Sequence, residues 1–138
     1  MARDVTTEWT PRMLSVLRIA VALLFLQHPF AKFFGFPHVA AFDGLQPFSL
    51  IWIAGVIELV GGILVLIGLF TRPAAFILSG EMAVAYFMAH VPRSFFPLLN
   101  GGEAAVFFCF AFLYLAFAGA GLWSVDHARR GATVPLRV

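Results

Sequence analysis

From Leu50 to Phe70 the chain reads LIWIAGVIELVGGILVLIGLF, an apolar run broken by one charge, Glu58. Such a run is long enough to cross the roughly 30 Å hydrocarbon core of a bilayer as a helix. No water reaches that core, so the segment must satisfy its own backbone groups, and a helix does this. The apolar residues are continuous rather than alternating, which argues against barrel strands. Extended by its flanks, this span is Pro47–Phe70, and three more follow the same rule: Arg12–Phe34, Pro73–Val91 and Gly101–Trp123. Together they use most of the 138 residues and leave no room for a soluble domain. Composition agrees, with 62% apolar and 12% charged residues against roughly half and a quarter in a soluble domain. The expected fold is therefore all-α: a polytopic membrane protein, its four helices in an up-down bundle.

Several function classes drop out. One cysteine, Cys109, allows no disulfide framework, no CxxC pair and no cysteine zinc site. A net charge of +2, scattered along the chain, offers no nucleic-acid surface. The first apolar run resembles a signal peptide, but its leader holds Asp4 and Glu8, no small-x-small site follows, and it continues to Phe34. It is expected to be the first span.

An even number of spans puts both termini on one side. Arg3, Arg12, Arg72, Arg129, Arg130 and Arg137 would lie there, and Lys32 and Arg93 opposite. Six against two places both termini in the cytoplasm. Trp9, Trp52 and Trp123 fall near span ends, where indole rings prefer to sit. Residues 1–11 then form a cytoplasmic leader, with Thr10 as N-cap and Pro11 opening the first helix. Residues 12–126 form the membrane domain, and 127–138 a loosely ordered basic tail with Arg129 and Arg130 facing anionic lipid. The loop Pro92–Asn100, with two prolines and two phenylalanines, is expected on the outer interface.

The spans are not clean. Arg18, Gln27, His28, Lys32, Glu58, Glu81, His90 and Glu103 interrupt them, and every span contributes at least one. Polar groups in hydrocarbon are costly and usually face the bundle interior. By depth, Arg18 is expected to pair with Glu58, Glu81 or both, and Lys32 with Glu103. By helical period, Arg18, Phe25, Pro29 and Lys32 share one face; Glu103, Phe107, Phe110, Tyr114, Phe117 and Gly121 share another. Gly55, Gly61 and Gly62 flank Glu58 and allow close helix approach. Glu81 and His90 point apart unless the helix bends or ends before His90. Pro29 removes the donor that would serve the Phe25 carbonyl, which then needs another. The candidate ligand-binding set is Arg18, His28, Lys32, Glu58, Glu81, His90 and Glu103. Plainer alternatives stand beside it: an ion pair that only fixes register, Lys32 and Arg93 snorkelling to headgroups, and phenylalanines that face lipid. A bis-histidine haem on His28 and His90, or a metal on His28, His90 and Glu103, rests on too few ligands, and no metal site is expected.

Certain stretches resemble the DoxX family of small four-helix bacterial membrane proteins. They are Arg18, His28-x-x-x-Lys32, GVIELVGGILVLIGLFTR (Gly55 to Arg72), Ala74-Ala75, His90, GGE (Gly101 to Glu103) and GAGLWSVD (Gly119 to Asp126). Pro29 replaces the family's usual glycine, and Glu81 stands where many members are apolar. The resemblance implies a compact bundle in the bacterial cytoplasmic (inner) membrane. It also implies a link to membrane redox complexes, among them sulfur- and quinone-linked ones and those of oxidative-stress defence.

Three functions follow. The first is a membrane subunit of a redox complex whose interior polar pocket binds a quinone-like molecule. There Arg18, His28 and Lys32 would donate to a carbonyl, Glu58 or Glu103 would relay protons, and the phenylalanine stripe would hold the ring. The second is a non-enzymatic adaptor that recruits partner proteins. The third is a small-solute transporter, which in so small a bundle would need a homodimer.

Overall fold

The structure, a computed structural model, describes residues 5–132. Arg3 and Asp4 of the leader and Arg137 of the tail lie outside the described residues. Those described form six helices and no strand: α1 (Val5–Phe34), α2 (Leu50–Ile67), α3 (Thr71–Ala85), α4 (Pro97–Asn100), α5 (Glu103–Ala118) and α6 (Val125–Ala132). A π-helical turn, Tyr86–His90, continues α3.

Two of the four expected spans, α1 and α2, are long and apolar enough to cross a membrane. At 16 residues α5 is apolar but shorter, because Gly119 (φ +90°) ends it before the predicted Trp123. For α3 the limit is its 15-residue length before the π turn.

Both ends of the described stretch are more helical than expected. α1 begins at Val5, so Thr10 is not an N-cap but lies inside the helix, its hydroxyl donating to Thr6 O at 2.6 Å. Proline's fixed φ suits a helix, and in this exposed first part Pro11 forfeits only one backbone bond. The tail's first residues form α6 rather than loose chain.

The long helices pack in sequence, α1 on α2, α2 on α3 and α3 on α5. Glycine sets the first two distances. A Cβ on Gly62 would meet Leu26 at 2.6 Å, and one on Gly61 would meet Leu78 at 2.8 Å. The buried core draws on all four: Ala22 and Phe25, Val65, Leu78 and Met82, Phe112 and Leu115. Phe25 meets Phe112 edge-on at 4.8 Å.

One end of this assembly is held by two charged side chains. Arg18, 1% exposed, donates to four carbonyls: Nε to Ala120 O at 2.8 Å, Nη1 to Val65 O at 2.6 Å and to Leu66 O, and Nη2 to Trp123 O at 2.5 Å. It thereby gives a donor to Leu66 O at the end of α2 and a second one to Val65 O, which also accepts from the Gly68 amide at 3.1 Å. Asp126 serves the opposite polarity. Phe70 caps α3 in a left-handed conformation with no side-chain cap of its own. The Phe70 and Thr71 amides instead donate to the two Asp126 oxygens, each at 2.9 Å. The Asp126 amide returns a bond to Gly68 O at 2.8 Å.

Burial alone would raise the Asp126 pKa, but those amides and nearby Arg130 hold it below the ordinary carboxylate value. A depressed carboxylate contributes stability above its unfolded pKa of about 3.9 and loses it as pH falls through the folded value. Asp126→Asn has one acceptor oxygen for two amides and should therefore be less stable than wild type by about 1 kcal/mol at neutral pH. The difference should close below about pH 4. Chemical unfolding of both proteins across that range checks this, and a gap that persists in acid would count against it.

Candidate functional site

The seven candidate residues do not gather in one place. Arg18 pairs with neither Glu58 nor Glu81, because its guanidinium is committed to the carbonyls at the α2 end. Lys32 does not reach Glu103. Its Nζ lies 2.6 Å from Glu58 Oε2, with both side chains at most 7% exposed. Glu103 is exposed in the first turn of α5, where a carboxylate favours the helix dipole.

The histidines also have local tasks. His28 Nδ1 lies 3.0 Å from Phe25 O, the carbonyl that Pro29 deprives of its usual donor. A carbonyl can only accept, so Nδ1 carries the proton. α1 consequently continues past Pro29 to Phe34. The π turn does end regular α3 before His90, yet His90 turns to the end of α4, its Nδ1 3.2 Å from Asn100 O. There Asn100, buried, bonds Ser94 O at 2.7 Å and accepts from the Gly102 amide at 2.7 Å.

What remains is an interior group of three. Glu58 sits on the glycine face of α2, between α1 and α3. Gly55 makes room for the Lys32 stem, since a Cβ there would come within 3.1 Å of Lys32 Cδ. Glu81, from α3, lies within electrostatic reach of both Glu58 and Lys32. Its two carboxyl oxygens are shut away from solvent, and neither has a hydrogen-bond partner among the described residues. Buried polar groups are almost always partnered, because an unmade bond there costs about 1–3 kcal/mol. The Glu81 carboxyl is therefore short of a partner. Two acidic groups and one ammonium suit a guest that donates an O–H or N–H to Glu81. Lys32 Nζ has three protons and gives one to Glu58, so it can serve a second oxygen of the same guest.

The expected ring-holding stripe is reversed. Phe107, Phe110, Tyr114 and Phe117 all face outward, and Phe25, Phe108 and Phe112 form the interior aromatic group. Asp126 was not among the candidates. Its signal in the sequence was weak: one acid shortly after a glycine-rich break.

The residues that fix the packing, Arg18, Gly61, Gly62 and Leu78, fall within the stretch matched by the DoxX family model, residues 13–91, more than half of the chain. The chain belongs to the DoxX family. An uncharacterized protein of Haemophilus influenzae is 48% identical over 124 residues, covering 87% of this chain and 92% of its own. The inner membrane protein YphA of Escherichia coli is 31% identical over 125 residues, covering 84% and 89%. No solved structure matches. DoxX membership makes this a membrane protein, which accords with the apolar residues exposed along α1, α2 and α5.

Proposed function

We propose that this DoxX protein is a four-helix, multi-pass protein of the bacterial inner membrane, with both termini cytoplasmic. Its Lys32–Glu58–Glu81 interior binds a quinone-like molecule within a redox complex. The observation that carries the reading is the enclosed Glu81 carboxyl without a partner. YphA's inner-membrane location and the packing of α1 on α2, α2 on α3 and α3 on α5 support the rest. A quinol hydroxyl donates to Glu81 while Lys32 donates to the ring's other oxygen. On oxidation the quinol gives up two electrons and two protons. The electrons go to a redox centre of the partner protein, Glu81 takes the first proton, and Glu58, beside Lys32, takes the second.

The test is chromatography of lipids extracted from the full chain, purified in mild detergent. Wild type should carry quinone, and Glu81→Leu should retain at least tenfold less while staying folded. A wild-type preparation that holds no quinone and ignores added quinone analogues sinks the reading.

The outward Phe107, Phe110 and Phe117 favour a second reading, in which α5 docks a partner's membrane helix. Partners recovered from native membrane with Glu81→Leu, but lost when these phenylalanines become leucine, would favour that adaptor role.

A further inference from the structure

The Lys32–Glu58–Glu81 interior lies towards one end of the helices, since Lys32 is close to the end of α1 and Glu81 to the end of α3. A layer of Phe25, Val65, Leu78 and Phe112, each 0% exposed, separates it from the end held by Arg18. Water therefore reaches this interior from the opposite end, where the loop between α1 and α2 lies. A lysine so near a helix end usually extends its ammonium outward to water. Lys32 is instead turned in, its side chain only 7% exposed. Glu58 holds the ammonium from within, and the half-buried Phe42 covers it from the loop, its ring centroid 5.5 Å from Nζ. The electrons of the ring face attract the cation, so the ring both holds and covers it.

Phe42 closes a short 3₁₀ turn, Ala40–Phe42, within that loop. The loop is bonded to itself. The Phe42 amide donates to Val39 O at 2.9 Å and the Asp43 amide to Ala40 O at 3.1 Å. His38 Nε2 lies 3.1 and 3.3 Å from the two Asp43 carboxylate oxygens, with both side chains exposed. Among the described residues, no hydrogen bond joins residues 37–45 to α1, α2, α3 or α5. Gly35 (φ +65°) and Gly44 (φ +71°) bound the segment in left-handed conformations that glycine enters and leaves at little cost. A segment bonded to itself, bounded by two glycines and set against the site by one ring can move as a unit. The geometry points to residues 35–44 as a lid over the interior, with Phe42 as its plug and the His38–Asp43 pair as its latch. What lies beneath the lid rests on the reading given above; the lid adds the side from which it is reached. When it opens, the protons taken up by Glu81 and Glu58 leave to the water on the loop side of the membrane.

Lys32 is the chain's only lysine, which makes the test specific. The full chain in sealed membrane vesicles is treated with a membrane-impermeant sulfonated succinimidyl ester, and labelling is read on the Lys32 peptide by mass spectrometry. Wild type should label slowly, and only where the loop side faces the reagent. Phe42→Ala removes both the ring's attraction and its cover, and should speed labelling at least about tenfold. Asp43→Asn breaks only an exposed pair and should speed it about threefold. Cys109, half-buried where α5 meets Ser79 of α3, reports on the bundle itself, and its reaction with a maleimide should not change. Unchanged Lys32 labelling in Phe42→Ala, or equal labelling from either side of the membrane, overturns the lid. Should Phe42→Ala expose Cys109 as well, Asp43→Asn decides: a rise of the expected size supports the lid, and no rise overturns it. Labelling needs no quinone, so these rates in a quinone-free preparation would count against the guest proposed above and leave the lid standing.

Discussion

Arg18→Met should leave little folded protein. The side chain is 1% exposed and gathers four carbonyls from three places: the end of α2, the break after α5, and the approach to α6. Methionine fills similar space but donates nothing. Val65 O keeps the Gly68 amide, but the other three lose their donor at about 1–3 kcal/mol each, so the set costs at least about 3 kcal/mol. Whole-protein stabilities are about 5–15 kcal/mol, so this loss is a large share. Arg18→Lys keeps the charge but gathers all donors on one nitrogen, which cannot span four acceptors. It should fall between wild type and Arg18→Met. The folded fraction after mild-detergent extraction, and its resistance to added SDS, would show this order. An Arg18→Met protein as resistant as wild type would mean that the helix ends do not depend on this side chain.

Lys32→Met ranks next. It would leave Glu58 buried with no cation and Glu81 nearby, still without a partner. Breaking a buried pair by removing one member costs about 3–5 kcal/mol, whereas replacing both members by apolar groups is often neutral or stabilising. Lys32→Met/Glu58→Met should therefore regain most of the lost stability. Quinone retention separates structure from function: the rescued double variant should fold yet carry no quinone. If the double variant is no more stable than Lys32→Met, the pair is not the coupled unit described above. A folded double variant that still binds quinone would remove Lys32 from the guest's contacts.

Part of this site was legible in the sequence. Arg18, Phe25, Pro29 and Lys32 do share a face, and it is the buried one. The glycines around Glu58 do bring neighbouring helices close. The need for a donor at the Phe25 carbonyl was also readable, because Pro29 cannot supply one, and His28 meets it from the preceding position. The α5 stripe shows where such reasoning stops. Helical period says which residues lie together, not which side of the helix is inside. In a membrane protein the outer face is as apolar as the core, so hydrophobicity gives no sign. Depth estimates paired Lys32 with Glu103 and Arg18 with Glu58. Both pairings failed because the axial offset between helices depends on their packing.

The sequence by itself determined the class. Apolar runs this long require helices in a membrane, and one cysteine with few charges excluded most other chemistry. It also named the costly residues, since any charge in hydrocarbon must find company. Only the tertiary structure decided which company. Arg18 went to backbone carbonyls, Lys32 to Glu58, Asp126 to the amides that open α3, and Glu81 to no described group. The physical reason is range. A hydrogen bond is made or lost within a few tenths of an ångström, and helix register, glycine contacts and chain breaks fix distances to that precision. Residue order alone does not.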